Sequence, residues 1–221
     1  MSTLLVTTAI GKKYFCIYNN LFRKSQENYA RRHGYDFKIV TDLLDVTYKT
    51  HLISFYFQHI LLCSQPWNIK YDFIVFIDSD ILIHPEAPSI TAAIDFKSQI
   101  GMVDEYSQPN KVRRLELQKE MGWEASATDY YSLCGFNLNT EVVLNGGLMV
   151  MQPRYHNELL GQVYKEYLPR ALNHPRGPHY QQASIGYALQ SQGNHLILPN
   201  KWNAIWSIHK LCNPDYLLSD F

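Results

Sequence analysis

The chain has 221 residues, 46% of them hydrophobic, and its 20 Lys and Arg balance its 20 Asp and Glu. That length suits one α/β domain with a sizeable core, and the balanced charge excludes a global basic field for holding nucleic acid. The 16 Tyr, 10 Phe and 4 Trp suit semi-polar pockets, where amphipathic rings stack on flat ligands such as bases and sugar faces.

Leu4 to Thr8 predicts a first strand, with Ala9-Ile10-Gly11 as the loop at its carboxyl end. The chain enters this strand without a basic-then-apolar leader, and it has no run of about twenty apolar residues, so neither export nor a membrane span is expected. Cys16, Cys63, Cys134 and Cys212 form no CxxC pair. They read as thiols of a reducing compartment, which implies a cytoplasmic location. Tyr14 to Arg32 predicts one helix, with Phe15, Tyr18, Phe22 and Tyr29 at helical spacing and Gly34 as its stop. Tyr35 to Thr41 alternates and predicts a second strand. Strand, helix and strand form a βαβ unit, hence a parallel pair with a right-handed crossover.

Leu52 to Cys63 is strongly apolar and predicts a helix ended by Pro66. Next comes Tyr71 to Ile83, where Phe73-Ile74-Val75-Phe76-Ile77 carries no charge and reads as a strand buried on both faces. Ligands of α/β sheets collect beyond the carboxyl ends of such strands, and Asp78 and Asp80 fall there. Two like charges need a partner, and a divalent cation bound through hard oxygens is the cheapest one. Asp78-Ser79-Asp80 also fits a solvated turn; the apolar runs on either side favour the metal.

Gln99 to Val103 predicts a strand. Asn110 to Met121, with Lys111, Arg113, Arg114, Glu116, Lys119 and Glu120, reads as a solvated helix face. Gly122 to Thr140 is the least periodic stretch and predicts a long loop. Val142 to Met151 predicts a second buried strand, interrupted by Asn145-Gly146-Gly147, where the glycines mark a bulge or a close approach of ligand to backbone. Tyr155 to Leu172 predicts a helix, Gly177-Pro178 a turn, Tyr180 to Gln192 a helix stopped by Gly193, and Leu196 to Pro199 a short edge strand. The tail from Asn200 holds Trp202, Trp206 and His209. Without repeats or linkers, residues 1–221 read as one domain, with an N-terminal half over about 1–104 and a C-terminal half over about 105–221.

Asp78-Ser79-Asp80 after an apolar strand resembles the DxD motif of GT-A fold glycosyltransferases, whose sheet is mostly parallel, Rossmann-like and flanked by helices. Asn28-Tyr29-Ala30-x-x-His33-Gly34-Tyr35 resembles a stretch of glycosyltransferase family 34, and Tyr48-Lys49-Thr50 its aromatic-x-Lys segment. Asn145-Gly146-Gly147 resembles a strand shared by families 34 and 8. Tyr180-Gln181-Gln182-Ala183 with Leu198-Pro199-x-Lys201-Trp202-Asn203 is similar to their paired downstream segments, and the chain also looks like the glycosyltransferase domains of chlorella-virus capsid-glycan proteins. The resemblance implies that Asp78, Asp80 and His209 bind Mn2+ (or Mg2+). It also implies that Thr7, Thr8 and Ala9 line base and ribose, and that Ser79, Gly146 and Lys210 contact the donor. Lys49 would contact donor or phosphate, Asn145 would face sugar or acceptor, and Gln182 would lie near the anomeric carbon.

These features imply a hexosyltransferase that takes a UDP-sugar donor and a glycan or glycoprotein acceptor and retains anomeric configuration. The chain departs from the pattern in three places. Gln181 replaces the acid of the (D/E)-Q pair, so no carboxylate nucleophile is evident, and Asp104, Glu105 and Asp129 qualify only by being acidic. The H-x-x-G-x-x-K-P-W ending is absent after His209. The family 34 membrane anchor is missing, as in a domain excised from a larger protein. Three other readings stand: a haloacid-dehalogenase-type phosphatase, which wants a later acidic pair; a sugar nucleotidyltransferase, which wants a Gly-rich loop where Ala9-Ile10-Gly11-Lys12-Lys13 stands; and a carbohydrate-binding module with a structural metal.

Overall fold

The computed structural model describes residues 1–123 and 126–213. Strand β1 (Thr3–Thr8) leads into α1 (Lys12–Leu21) and α2 (Arg23–His33). The apolar spacing predicts one helix here, but the structure breaks it at Phe22, where φ is −114°. The Ser25 hydroxyl donates to the Phe22 carbonyl at 2.9 Å, a local bond that competes with helical pairing. Gly34 ends α2 in the left-handed region, φ 67°, where a Cβ is costly. β2 (Asp36–Val40) follows.

The apolar stretch after residue 52 is helical, though mostly not α-helical. α3 (Ile53–Tyr56) tightens into a 3-10 segment, Gln58–Ser64. The reason lies in Gln58, whose side-chain amide donates to the Ser54 carbonyl at 3.0 Å. That carbonyl is the acceptor an α-helical N–H at position 58 would use.

β3 (Phe73–Ile77), α4 (Ile90–Ala93), β4 (Ile100–Asp104) and α5 (Lys111–Met121) come next. The stretch predicted as a long loop contains α6 (Ala127–Leu133), capped by Ser126, whose hydroxyl accepts from the Asp129 N–H at 3.1 Å. β5 (Leu144–Met151), α7 (Pro153–Ala171), α8 (Pro178–Ser191), β6 (His195–Leu198) and α9 (Trp206–Cys212) complete the order. Among the described residues no helix is long and apolar enough to cross a membrane.

The strands form one sheet in the order β2-β1-β3-β5-β4-β6. All pairs are parallel except those of β5, which runs antiparallel to both β3 and β4. Alternate residues pack opposite faces. Leu4, Val6, Ile74, Phe76, Met149 and Met151 face the 3-10 segment, α7 and α8. Leu5, Phe73, Val75, Ile77, Leu148 and Val150 face α2, Ile90 and Phe96. Every residue of β3 is buried, at about 1.5–3 kcal/mol of hydrophobic stabilisation per large side chain. With β5 reversed, the carboxyl ends of β1, β3, β4 and β6 and the start of β5 meet along one edge of the sheet.

The glycines leave β5 continuous but fall in a bulge of it: Gly101 pairs with Val150 and Val103 with Asn145, so two steps along β4 span five along β5, and the surplus residues include Gly146 and Gly147. Gly101 is required by packing, since a Cβ there would sit 2.5 Å from a ring carbon of Phe96. Gly161, inside α7, faces open space. Gly101→Ala is therefore expected to destabilise the fold by about 1–3 kcal/mol, and Gly161→Ala to stabilise it by about 0.5–1 kcal/mol, both read from urea unfolding midpoints.

Candidate active site

A cavity of about 510 Å³ opens over the shared strand edge, with Thr8 after β1, the Asp78–Asp80 turn after β3, Glu105 after β4 and Asn145 to Gly147 of β5 among its walls. A second, more open cavity of about 580 Å³ adjoins it through Ile10 and Phe55 and is walled by Ala9, Gly11 and Asp42. The two together form a cleft with a polar, acidic end and a more apolar end beside β1.

Asp78 closes β3 by donating its backbone N–H to the Gly147 carbonyl at 2.8 Å, which holds the acidic turn against β5. Gly147 has no room for a Cβ: Asn145 Oδ1, Asn203 Nδ2 and Asp78 Oδ2 would lie 3.0–3.1 Å from it. Protein crowds Asp78 on the sheet side, yet the residue is exposed where it lines the cavity. Burial, then the charge of Asp80, push its carboxyl up to about 7. Neither Asp78 nor Asp80 takes part in a salt bridge among the described residues. Tyr14 stands beside them; burial, then Asp80 and Asp78, raise its phenol, and its hydroxyl bonds Ser79. Two hard-oxygen anions without a protein cation fit a divalent ion such as Mn2+ or Mg2+.

Beyond the acids lies an amide network centred on Glu105. Its Oε2 accepts from Asn145 Nδ2 (3.1 Å) and Gln182 Nε2 (3.0 Å), and its Oε1 from Arg114 Nη2 (3.0 Å). Arg114 is only 4% exposed and stacks over Tyr106 at 4.8 Å. Asn145 Oδ1 accepts from Gly147 N (2.9 Å) and Asn203 Nδ2 (2.8 Å), so both of its ends are committed. Gln182 also donates to the Tyr130 hydroxyl at 3.3 Å. Glu105 fixes these amides as an acceptor with both oxygens occupied, a poor state for a nucleophile.

The structure gathers Thr8, Asp78, Ser79, Asp80, Asn145, Gly146 and Gln182 around the acidic cavity and Ala9 at the adjoining one. Thr7 is fully buried in β1 and lines neither cavity. Lys49 sits exposed in the 47–50 turn, outside both walls. His209 and Lys210 lie on α9, with the Lys210 ammonium 4.8 Å from the Trp206 ring centre. Burial lowers the His209 ring. Among the described residues no group of three or more His, Cys, Asp or Glu could hold a metal ion.

Of the three acids named by charge alone, only Glu105 reaches the cavity. Asp104 is buried and accepts from the Tyr106 and Val143 N–H groups, both at 3.0 Å. Asp129 binds the Ser126 hydroxyl at 2.7 Å. Arg114, read as part of a solvated face, is a buried partner of the site. His59 and Tyr56 line the cavity as well. The position of Glu105 just beyond a strand's carboxyl end was a usable signal; His59 and Arg114 carried none.

No family model matches the sequence, and no curated protein matches it. Solved structures do. The chain is similar to a glycosyltransferase involved in the glycosylation of the major capsid of PBCV-1, at 15% identity, covering 90% of this chain and 82% of that one, with a TM-score of 0.58. It is similar to the galactosyltransferase LgtC in complex with donor and acceptor sugar analogues, at 11% identity, covering 97% and 81%, TM-score 0.60. It is also similar to the bifunctional glycosyltransferase WbbM, at 14% identity, covering 91% of this chain and 39% of that one, TM-score 0.60. At these identities the likeness is one of fold, and that fold is GT-A.

The raised carboxyl of Asp78 has a consequence for stability. Between its ordinary value of 3.8 and about 7, the folded chain holds a proton that the unfolded chain releases. Stability from this group is therefore full below the ordinary value and lost as pH rises through 7. In chelator-treated protein, Asp78→Asn should melt above the wild type at pH 8, with the gain vanishing near pH 4 by differential scanning calorimetry.

Proposed function

We propose that the chain is a metal-dependent glycosyltransferase that moves a hexose or deoxyhexose from a UDP-sugar to a hydroxyl of a glycan or glycoprotein, with retention at the anomeric carbon. The observation that carries this reading is the pair Asp78 and Asp80, which lines a cleft and makes no salt bridge among the described residues. When bound there, Mn2+ or Mg2+ would neutralise the diphosphate and stabilise it as a leaving group.

The remaining work falls to positioning and charge stabilisation. The cavity beside Ala9, Gly11 and Asp42 gives the uracil and ribose a place outside the acidic end. Gly146, with open space where a Cβ would stand, lets the donor approach the β5 backbone. Glu105 locks Asn145 and Gln182 so that the amides cannot rotate as charge develops. Because the Glu105 oxygens already accept three hydrogen bonds, we favour a front-face route. The bond from the anomeric carbon to the diphosphate oxygen breaks, the acceptor oxygen bonds the same face, and the acceptor's proton passes to the released diphosphate. No protein base is then required.

A 31P NMR assay with Mn2+ and a panel of UDP-glucose, UDP-galactose, UDP-xylose and UDP-rhamnose tests this reading. UDP release from one donor is expected, falling about 100-fold or more in Asp80→Ala. Inorganic phosphate from sugar phosphates would instead indicate a phosphatase, and pyrophosphate-dependent exchange a nucleotidyltransferase. Intact-mass spectrometry of Glu105→Gln under turnover should show no sugar attached to the protein; a stable glycosyl adduct on any carboxylate variant would replace the front-face route with double displacement.

A further inference from the structure

One buried amide holds the backbone of the acidic turn from behind. Gln26 of α2 is fully buried, and its Nε2 donates to the Asp78 carbonyl at 3.2 Å and to the Ile81 carbonyl at 3.0 Å. The Asp78 carbonyl also accepts the Ile81 N–H at 3.3 Å, which closes the turn. Next to Gln26, the Ser25 hydroxyl accepts the Ile83 N–H at 3.3 Å. On the other side the Asp78 N–H is bonded to Gly147. Every one of these bonds is made to the turn's backbone, so the turn is anchored without using a carboxylate.

Tyr18 of α1 sets which way that amide faces. Its hydroxyl donates to Gln26 Oε1 at 3.2 Å, so Oε1 is occupied and Nε2 points at the two carbonyls. A flipped amide would aim its oxygen at two carbonyl oxygens, acceptor against acceptor. Tyr18 is 1% exposed, and burial raises its phenol, which keeps the hydroxyl protonated as a donor. The break at Phe22 makes this contact possible. In one straight helix residues 18 and 26 would stand about 12 Å apart along the axis. Tyr18 would then lean toward the N-terminus, away from Gln26. The hinge that the apolar spacing conceals brings α1 and α2 together onto the turn.

We propose that Gln26 is a positioning residue for the cation, with Tyr18 as the residue that aligns it. This rests on the metal reading of Asp78 and Asp80 and deepens it. Holding both carbonyls fixes the peptide plane that enters the turn and the one that leaves it. Those planes set the directions in which the two carboxylates leave the backbone. An ion then meets acids already arranged and does not have to order the turn, a cost that otherwise subtracts from affinity. A purely structural role gives a different result: lost stability with unchanged metal affinity.

Gln26→Met keeps the length of the side chain and removes the amide, and Tyr18→Phe removes the hydroxyl alone. Val163→Ala, in α7 against the opposite face of the sheet, controls for lost stability. Mn2+ binding is read from the paramagnetic resonance of the free ion, with and without UDP. Turn mobility is read from hydrogen exchange at the Ile81 and Ile83 amides in metal-free protein. Gln26→Met should bind Mn2+ about 10-fold more weakly and exchange these amides about 10-fold faster. Tyr18→Phe should shift both in the same direction by less. Val163→Ala, although destabilised, should match wild type in both. Faster exchange with unchanged Mn2+ affinity would make Gln26 a structural residue only and overturn the proposal. So would no change in either readout, or losses in Val163→Ala equal to those in Gln26→Met. No Mn2+ uptake by wild type, with or without UDP, would instead sink the metal reading itself, and the cation role of Gln26 with it.

Discussion

The structure is organised around two carboxylates, Asp78 and Asp80, that make no salt bridge among the described residues. β3 is buried on both faces, so the chain leaving it can turn toward solvent only at the sheet edge, and Asp78 is pinned there by its bond to the Gly147 carbonyl. Burial and the neighbouring charge of Asp80 raise the Asp78 carboxyl, so the ionised form is disfavoured in that placement. A divalent cation held there, as proposed, would offset that cost. On that proposal, stability and function pull Asp78 in opposite directions.

Glu105 shows the other way of managing a carboxylate. Its charge is met inside the protein by Arg114, and its remaining acceptor capacity orients Asn145 and Gln182. Removing Glu105 would strand a buried guanidinium, whereas removing Asp80 strands nothing. The same edge thus carries one internally balanced acid that stiffens the wall and two others that line the cavity. GT-A topology makes this possible, since reversed β5 brings Asn145 to Gly147 back to the edge reached by β1, β3 and β4.

Much of this was legible in the sequence, for local reasons. Continuous apolar runs made β3 and β5 plain, and the acids after Ile77 marked the site because charges flanked by such runs need a reason. The break at Phe22 was not legible, because its apolar spacing continues across it and only the Ser25 hydroxyl bond reveals the hinge. α6 is short enough that its capping serine and adjacent tyrosines carry no helical period. Glu105 meets partners 9, 40 and 77 positions away, a separation no local pattern encodes. Arg114 sits in a charged stretch where buried and solvated arginines look alike. His59 lies within an apolar run, and its place on the cavity wall exists only in three dimensions.

The central claim is that Asp78 and Asp80 hold a nucleoside diphosphate through a divalent cation. Calorimetric titration of UDP, with and without Mn2+, into wild type and Asp80→Ala tests it most directly. The account predicts binding that requires the metal and disappears in the variant. UDP binding of equal strength with and without Mn2+, and untouched by Asp80→Ala, would contradict it and return Asp78-Ser79-Asp80 to the status of a solvated turn.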